Sequence, residues 1–218
     1  MAQAGVLPKQ KWRVLIADDI HETRRSTRLM LSVIEAVEVV AIAADGLQAV
    51  EMTKEQHPDI VVLDINMPKM NGLDAFKQIK QIQPDTGCII ISAQKETETL
   101  HEAMSLGIRD YLFKPFTVDK MEEAVKTVGA RLEKSRQEKV QREQLKQRNE
   151  AYLKQLATEY AKSRRSDDQA VEIYEYLAAD PACELRWLRT LAMVYVIRQE
   201  WDKLRDLAIR LGQQKKQN

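Results

Sequence analysis

Asp18 and Asp19 follow the apolar run "RVLIA", Asp64 closes "IVVLD", Ser92 closes "GCIIIS" and Lys114 follows "DYLF". Each has an ordinary reading by itself: an Asp after a strand caps a helix, a Ser belongs to a turn, and a Lys is a surface charge. Four strand ends carrying these types together are harder to dismiss, because desolvating an ionised carboxylate is costly unless something pairs with it. Three clustered carboxylates repel one another by about 4 kcal/mol per close pair at an effective dielectric near 20. A divalent cation removes that repulsion, and oxygen-only ligands in a partly open cleft favour Mg2+. An ammonium at 114 and a hydroxyl at 92 would then supply donors for a phosphoryl group, leaving Asp64 as the nucleophile.

For these side chains to converge, their runs must be neighbouring strands of one sheet. From Trp12 to Val128 the segments "RVLIADD", "VEVVAIAA", "DIVVLD", "GCIIISA" and "DYLFKP" read as five strands, most of them apolar on both faces, as buried parallel strands must be. Between and after them, "ETRRSTRLMLSVIE", "GLQAVEMTKEQH", "GLDAFKQIKQI", "ETETLHEAMSLG" and "TVDKMEEAVKTV" have helical spacing, with end signals at Gly46, Gly72 and Gly107. This alternation predicts an α/β fold with a five-stranded, doubly wound parallel sheet, whose sites form outside the carboxyl ends of the strands.

After residue 128 the character changes. Residues 129–162 contain no Pro and one early Gly and are rich in Lys, Arg, Glu and Gln, which predicts a long, mostly exposed helix or linker. A heptad through Val125, Leu132, Lys139, Lys146, Leu153 and Tyr160 is apolar only at its two ends, so a coiled coil is weakly specified. Residues 163–218 read as a small all-α domain. "LATEY" at 156–160 recurs as "LAMVY" at 191–195, and residues 151–218 resemble two tetratricopeptide-like repeats. In that reading Ala157 and Ala192 allow close helix approach, and Ala170, Tyr174 and Pro181 mark a second helix and its stop; an ordinary helical bundle is the alternative. Trp187, Tyr195 and Trp201 fall near helical spacing and read as bundle core.

The formal net charge is +1, but up to residue 130 there are 15 basic against 19 acidic residues and beyond it 19 against 14. The two cysteines, Cys88 and Cys183, have no metal-type spacing, and a reduced cytoplasmic chain is expected. No run is long enough to span a membrane, and "MAQAGVLPKQKW" lacks a signal-peptide core. His21, His57 and His101 are scattered and read as surface or capping residues, although His21 is near the acidic pair.

The set "ADD" at 17–19, "LDINMPKMNG" at 63–72, "ISA" at 91–93 and "DYLFKPF" at 110–116 resembles the receiver domain of two-component response regulators, over residues 12–128. The resemblance implies a flavodoxin-like fold and a phosphoacceptor Asp64 charged by a sensor histidine kinase or phosphotransfer protein. It implies Mg2+ held by Asp18, Asp19, Asp64 and the backbone carbonyl of Asn66. Lys114 would meet the phosphoryl oxygens, its bond to Pro115 being cis. Ser92 and Tyr111 would form the switch, Asn66 and Gln94 would tune the dephosphorylation rate, and Gly72 would let its loop bend.

Output must then come from residues 129–218. The first reading is a module that binds a partner protein or drives homodimerisation; a second is phosphorylation-controlled nucleic-acid binding through the basic helix and tail. The basic residues are interleaved with acids and no helix-turn-helix is evident, which favours the first. A C-terminal enzyme is the weakest reading, since these helices offer no acid, base or metal cluster. The protein is expected not to be an enzyme.

Overall fold

Val, Ile and Leu dominate the strand runs, and such side chains suit extended segments covered on both faces. In the computed structural model, which describes residues 11–93, 97–181 and 183–214, these runs form β1 (Trp12–Ala17), β2 (Val37–Ala43), β3 (Ile60–Asp64), β4 (Gly87–Ser92) and β5 (Asp110–Phe113). All four neighbouring pairs are parallel, in the order β2-β1-β3-β4-β5. The alternation of strands and helices thus produces the expected flavodoxin-like sheet. The order reverses between β1 and β3, and in such sheets the crevice beyond that switch point is where ligands bind.

The connecting helices are α1 (His21–Ser32), α2 (Gly46–Gln56), α3 (Gly72–Ile82) and α4 (Thr97–Ser105), followed by α5 (Val118–Lys162). Successive strand residues face opposite ways, which sorts the core into two layers. Leu15, Val61, Leu63 and Ile90 meet Ala49 and Val50 of α2 and Phe76 and Ile79 of α3. Val14, Ile16, Ile60, Val62, Ile89 and Ile91 meet Leu31 of α1 and Met121, Val125 and Val128 of α5. Asp45 and Asn71 cap α2 and α3, their side chains accepting from the amides of Gln48 and Asp74.

Gly72 departs from the expectation of a bend. Its backbone is not left-handed; instead, a Cβ there would lie 2.2 Å from the carbonyl oxygen of Asp64. Space, rather than torsional freedom, demands glycine at this position.

The chain divides into two units, one up to Glu138 and one from Lys139. In the first unit α5 stays packed beyond residue 128. Gly129 abuts the Trp12 ring, Arg131 pairs with Asp110 at 2.9 Å, and Arg136 pairs with Asp59 and lies over Trp12.

The second unit contains the end of α5 with α6 (Asp168–Ala179), α7 (Leu185–Arg198) and α8 (Trp201–Gln214). Its core joins Ala157, Ala170, Tyr174, Trp187, Leu191 and Tyr195, with Leu153 and Tyr160 packed against them. Tyr174 is fully buried and donates to the carbonyl of Ala157 at 3.4 Å. Trp201 corrects the sequence reading: at 55% exposure it lies on the surface, while Trp187 and Tyr195 are buried. The heptad is also largely committed elsewhere. Val125 and Leu132 serve the core of the first unit and Leu153 and Tyr160 that of the second, leaving exposed Lys139 and Lys146 between them.

Because Tyr174 fills the centre of the second core, Tyr174→Ala is expected to destabilise that unit by about 3–5 kcal/mol. Urea denaturation followed by helical circular dichroism checks this; a loss below 1 kcal/mol, on the order of a surface substitution, would contradict it.

Candidate acidic cleft at the strand ends

The parallel register brings the polar strand ends together. Asp18 follows β1, Asp64 ends β3, Ser92 ends β4, and Lys114 follows β5 with its amide donating to the Ser92 carbonyl at 2.8 Å. The Lys114–Pro115 bond is cis. Asp18, Asp64 and Ser92 are all buried. The Lys114 ammonium donates to Asp18 Oδ2 at 2.7 Å and to Asp64 Oδ1 at 2.6 Å. The remaining oxygens are also engaged: Asp18 Oδ1 accepts from the amide of Ile20 at 2.9 Å and Asp64 Oδ2 from the amide of Asn66 at 3.0 Å.

One ammonium therefore serves two buried carboxylates, and the electrostatics reflect the deficit. Burial pushes the Asp64 carboxyl up; Lys114 opposes this through its hydrogen bond and charge, the nearby Asp18 charge adds to the rise, and the net direction is upward. Burial pushes the Lys114 ammonium down, but its hydrogen bonds to Asp18 and Asp64 outweigh that and hold it protonated.

Asp19 is exposed, and among the described residues no three His, Cys, Asp or Glu side chains are grouped closely enough to hold a metal ion. The donor chemistry of the buried pair nonetheless suits a hard divalent cation. Among the described residues each carboxylate oxygen accepts one side-chain or backbone hydrogen bond, which leaves it a lone pair, and one ammonium faces two carboxylates.

Tyr111 is half-buried on β5, its ring 4.9 Å from that of Phe113. Gln94 lies outside the described residues. His21 opens α1 and is exposed. Two features escaped the sequence reading. Arg24 donates to the main-chain oxygen of Asp18 at 2.5 Å, and Lys69 pairs with Asp45 at 2.6 Å. Arg24 is one of a run of helix arginines and has no distinguishing spacing; the Lys69–Asp45 pair joins positions 24 residues apart.

The family model for the response regulator receiver domain matches residues 14–126, just over half of the chain. The chain belongs to this family. Over 113 residues it is 42% identical to the chemotaxis protein CheY of Bacillus subtilis, covering 52% of this chain and 93% of that relative. It is 30% identical over 119 residues to the probable C4-dicarboxylate response regulator DctR of the same organism, but spans only 53% of that protein's length. Among solved structures, a chain of the CheX–CheY–BeF3–Mg2+ complex from Borrelia burgdorferi is 30% identical with a TM-score of 0.52, the match covering 55% of this chain and 90% of that one. The likeness is thus to the receiver fold; the family match ends at residue 126, before the second unit begins.

Proposed function

We propose that this receiver domain takes a phosphoryl group onto Asp64 from a phosphohistidine of a sensor histidine kinase or phosphotransfer protein, and that the C-terminal helices relay the resulting change to a protein partner. The observation that carries the proposal is the Lys114 ammonium held between the Asp18 and Asp64 carboxylates at the sheet's switch point. The solved relative that contains beryllofluoride and Mg2+ supports it by analogy.

In this reading Asp18, Asp19, Asp64 and the Asn66 carbonyl would hold Mg2+, which would supply positive charge against their mutual repulsion and that of the incoming phosphoryl oxygens. An Asp64 oxygen attacks phosphorus as the P–N bond breaks, and the departing imidazole retains the electron pair and takes up a proton. The product is an acyl phosphate on Asp64. Lys114 exchanges a carboxylate for a phosphoryl oxygen, Ser92 closes on that group by hydrogen bond, and Tyr111 moves into the space vacated. Asn66 is uncharged and lies beside the nucleophile, which suits an ordinary rate of dephosphorylation.

Residues 12–128 act as the phosphoacceptor domain, 129–162 as the connecting helix and 163–218 as the output region, with 151–218 as its repeat-like frame. The output reading is supported by Met193, Val196 and Ile197 of α7 together with Trp201, all exposed and apolar. Such a face fits contact with another protein, either a distinct partner or a second copy. Labelled acetyl phosphate tests the input: uptake is expected to be stoichiometric and lost on chelating Mg2+, and chelator-insensitive or absent labelling would overturn the proposal. Measuring mass in solution with and without beryllofluoride then tells whether activation changes self-association.

A further inference from the structure

The loop between β3 and α3 is attached at its base and again at its tip. At the base, the amide of Ile65 donates to the Ile91 carbonyl at 3.2 Å and that of Gly72 to the Ile65 carbonyl at 2.9 Å. At the tip, Lys69 has a left-handed φ of 65°, a conformation few residues with a side chain adopt, and its ammonium reaches Asp45 Oδ2 at 2.6 Å. Asp45 is 3% exposed and its other oxygen caps α2 through the amide of Gln48 at 2.9 Å. The loop backbone also presses on the first residue of that helix, since a Cβ on Gly46 would lie 2.4 Å from the Met70 carbonyl oxygen. Lys69 first, and then the Gln48 amide, hold the Asp45 carboxyl below its ordinary range.

We infer that the Lys69–Asp45 pair is a positioning strut: it fixes the loop carrying Asn66 against the N-terminus of α2 and so sets how tightly the acidic cleft holds Mg2+. The inference rests on the reading of Asp18, Asp19, Asp64 and the Asn66 carbonyl as the metal's ligands. Among the described residues, the backbone between Asn66 and Gly72 makes short-range bonds, from Met67 to Ile65, from Met70 to Pro68 and from Ala75 to Asn71. Short-range bonds define the loop's shape, whereas docking on α2 defines where that shape sits relative to Asp64. A ligand carbonyl held from one side only binds less well. Changing partners that orient ligands typically costs 10-fold to 100-fold in metal affinity; because Lys69 acts three residues from Asn66, the expected loss is lower, about 3-fold to 10-fold.

The test uses the full chain and Mg2+ alone as the probe, with the dissociation constant measured by isothermal titration calorimetry. Lys69→Met removes the charge and keeps the stem. Asp45→Asn removes the ion pair while retaining a side chain that caps α2 well. Each is expected to weaken Mg2+ binding by the same factor, the double variant by no more than either alone, and Lys69→Arg is expected to restore most of the affinity. A purely structural pair would lower the melting temperature without Mg2+ and leave the affinity of the folded protein untouched. Wild-type affinity in both single variants, or additive losses in the double variant, would overturn the strut. Absence of Mg2+ binding in the wild-type chain would instead overturn the ligand assignment beneath it.

Discussion

Asp64→Asn should abolish phosphoryl uptake from acetyl phosphate and, at neutral pH without Mg2+, make the folded protein more stable. The loss follows from the nucleophile's chemistry, since an amide oxygen cannot form the acyl phosphate. The gain follows from the charge deficit: with position 64 neutral, Lys114 and Asp18 become a balanced pair, and the amide oxygen keeps one of the two hydrogen bonds that the Asp64 carboxylate accepts, from Lys114 and from the Asn66 amide. Burial raises the Asp64 carboxyl above its ordinary value. The folded state therefore favours the protonated form, and stability falls as pH rises from the ordinary carboxylate range through the raised value. That penalty grows as pH rises through the raised value, and replacing the carboxylate by an amide removes it. Urea denaturation at pH 7 with chelator, beside labelling in Mg2+, checks both halves. Normal labelling of the variant would remove Asp64 from the acceptor role, and a loss of stability would show that Lys114 already satisfies both carboxylates.

Lys114→Ala should produce the opposite change in stability and break the link between uptake and signalling. Its removal takes away the ammonium that pairs with both buried carboxylates, Asp18 and Asp64. Breaking a buried pair costs about 3–5 kcal/mol; because the Lys114 side chain is 19% exposed, about 2–3 kcal/mol is expected at pH 7 without Mg2+. Mg2+ should recover much of that loss, because a ligand that binds only the folded state adds about 2.7 kcal/mol at a hundred times its dissociation constant. Acidification should recover part of it too, since protonating Asp64 relieves the repulsion. The variant should still bind Mg2+, yet phosphorylation should no longer change the protein's mass or partner binding, because the proposed mechanism assigns contact with the phosphoryl oxygens to Lys114. Wild-type stability without Mg2+, or an unchanged activation-dependent mass shift, would contradict this account.

The sheet was legible because its determinants are local. The stretches "IVVL" and "CIII" are apolar at every position, as strands covered on both faces require, and the helices between the strands have end signals at Gly46 and Gly72. The convergence of Asp18, Asp64, Ser92 and Lys114 follows from the same pattern, because parallel strands place all their carboxyl ends on one side. The C-terminal half was harder to read: its periodic apolar positions suit a coiled coil, a bundle or repeats equally well. Trp201 shows the limit, since helical spacing assigns it to a core from which it is excluded.

Sequence alone determined the strand and helix periods, the chemical types available at each strand end and the change of character after residue 128. Tertiary structure decided the rest. It brought Lys114 between two carboxylates and left Asp19 exposed, and it made Gly72 a matter of space beneath Asp64. It also directed both apolar ends of the heptad into separate cores and joined Lys69 to Asp45. The physical reason is range: periodicity and capping act between residues a few positions apart, whereas charge balance and close approach depend on distances that exist only once the chain has folded.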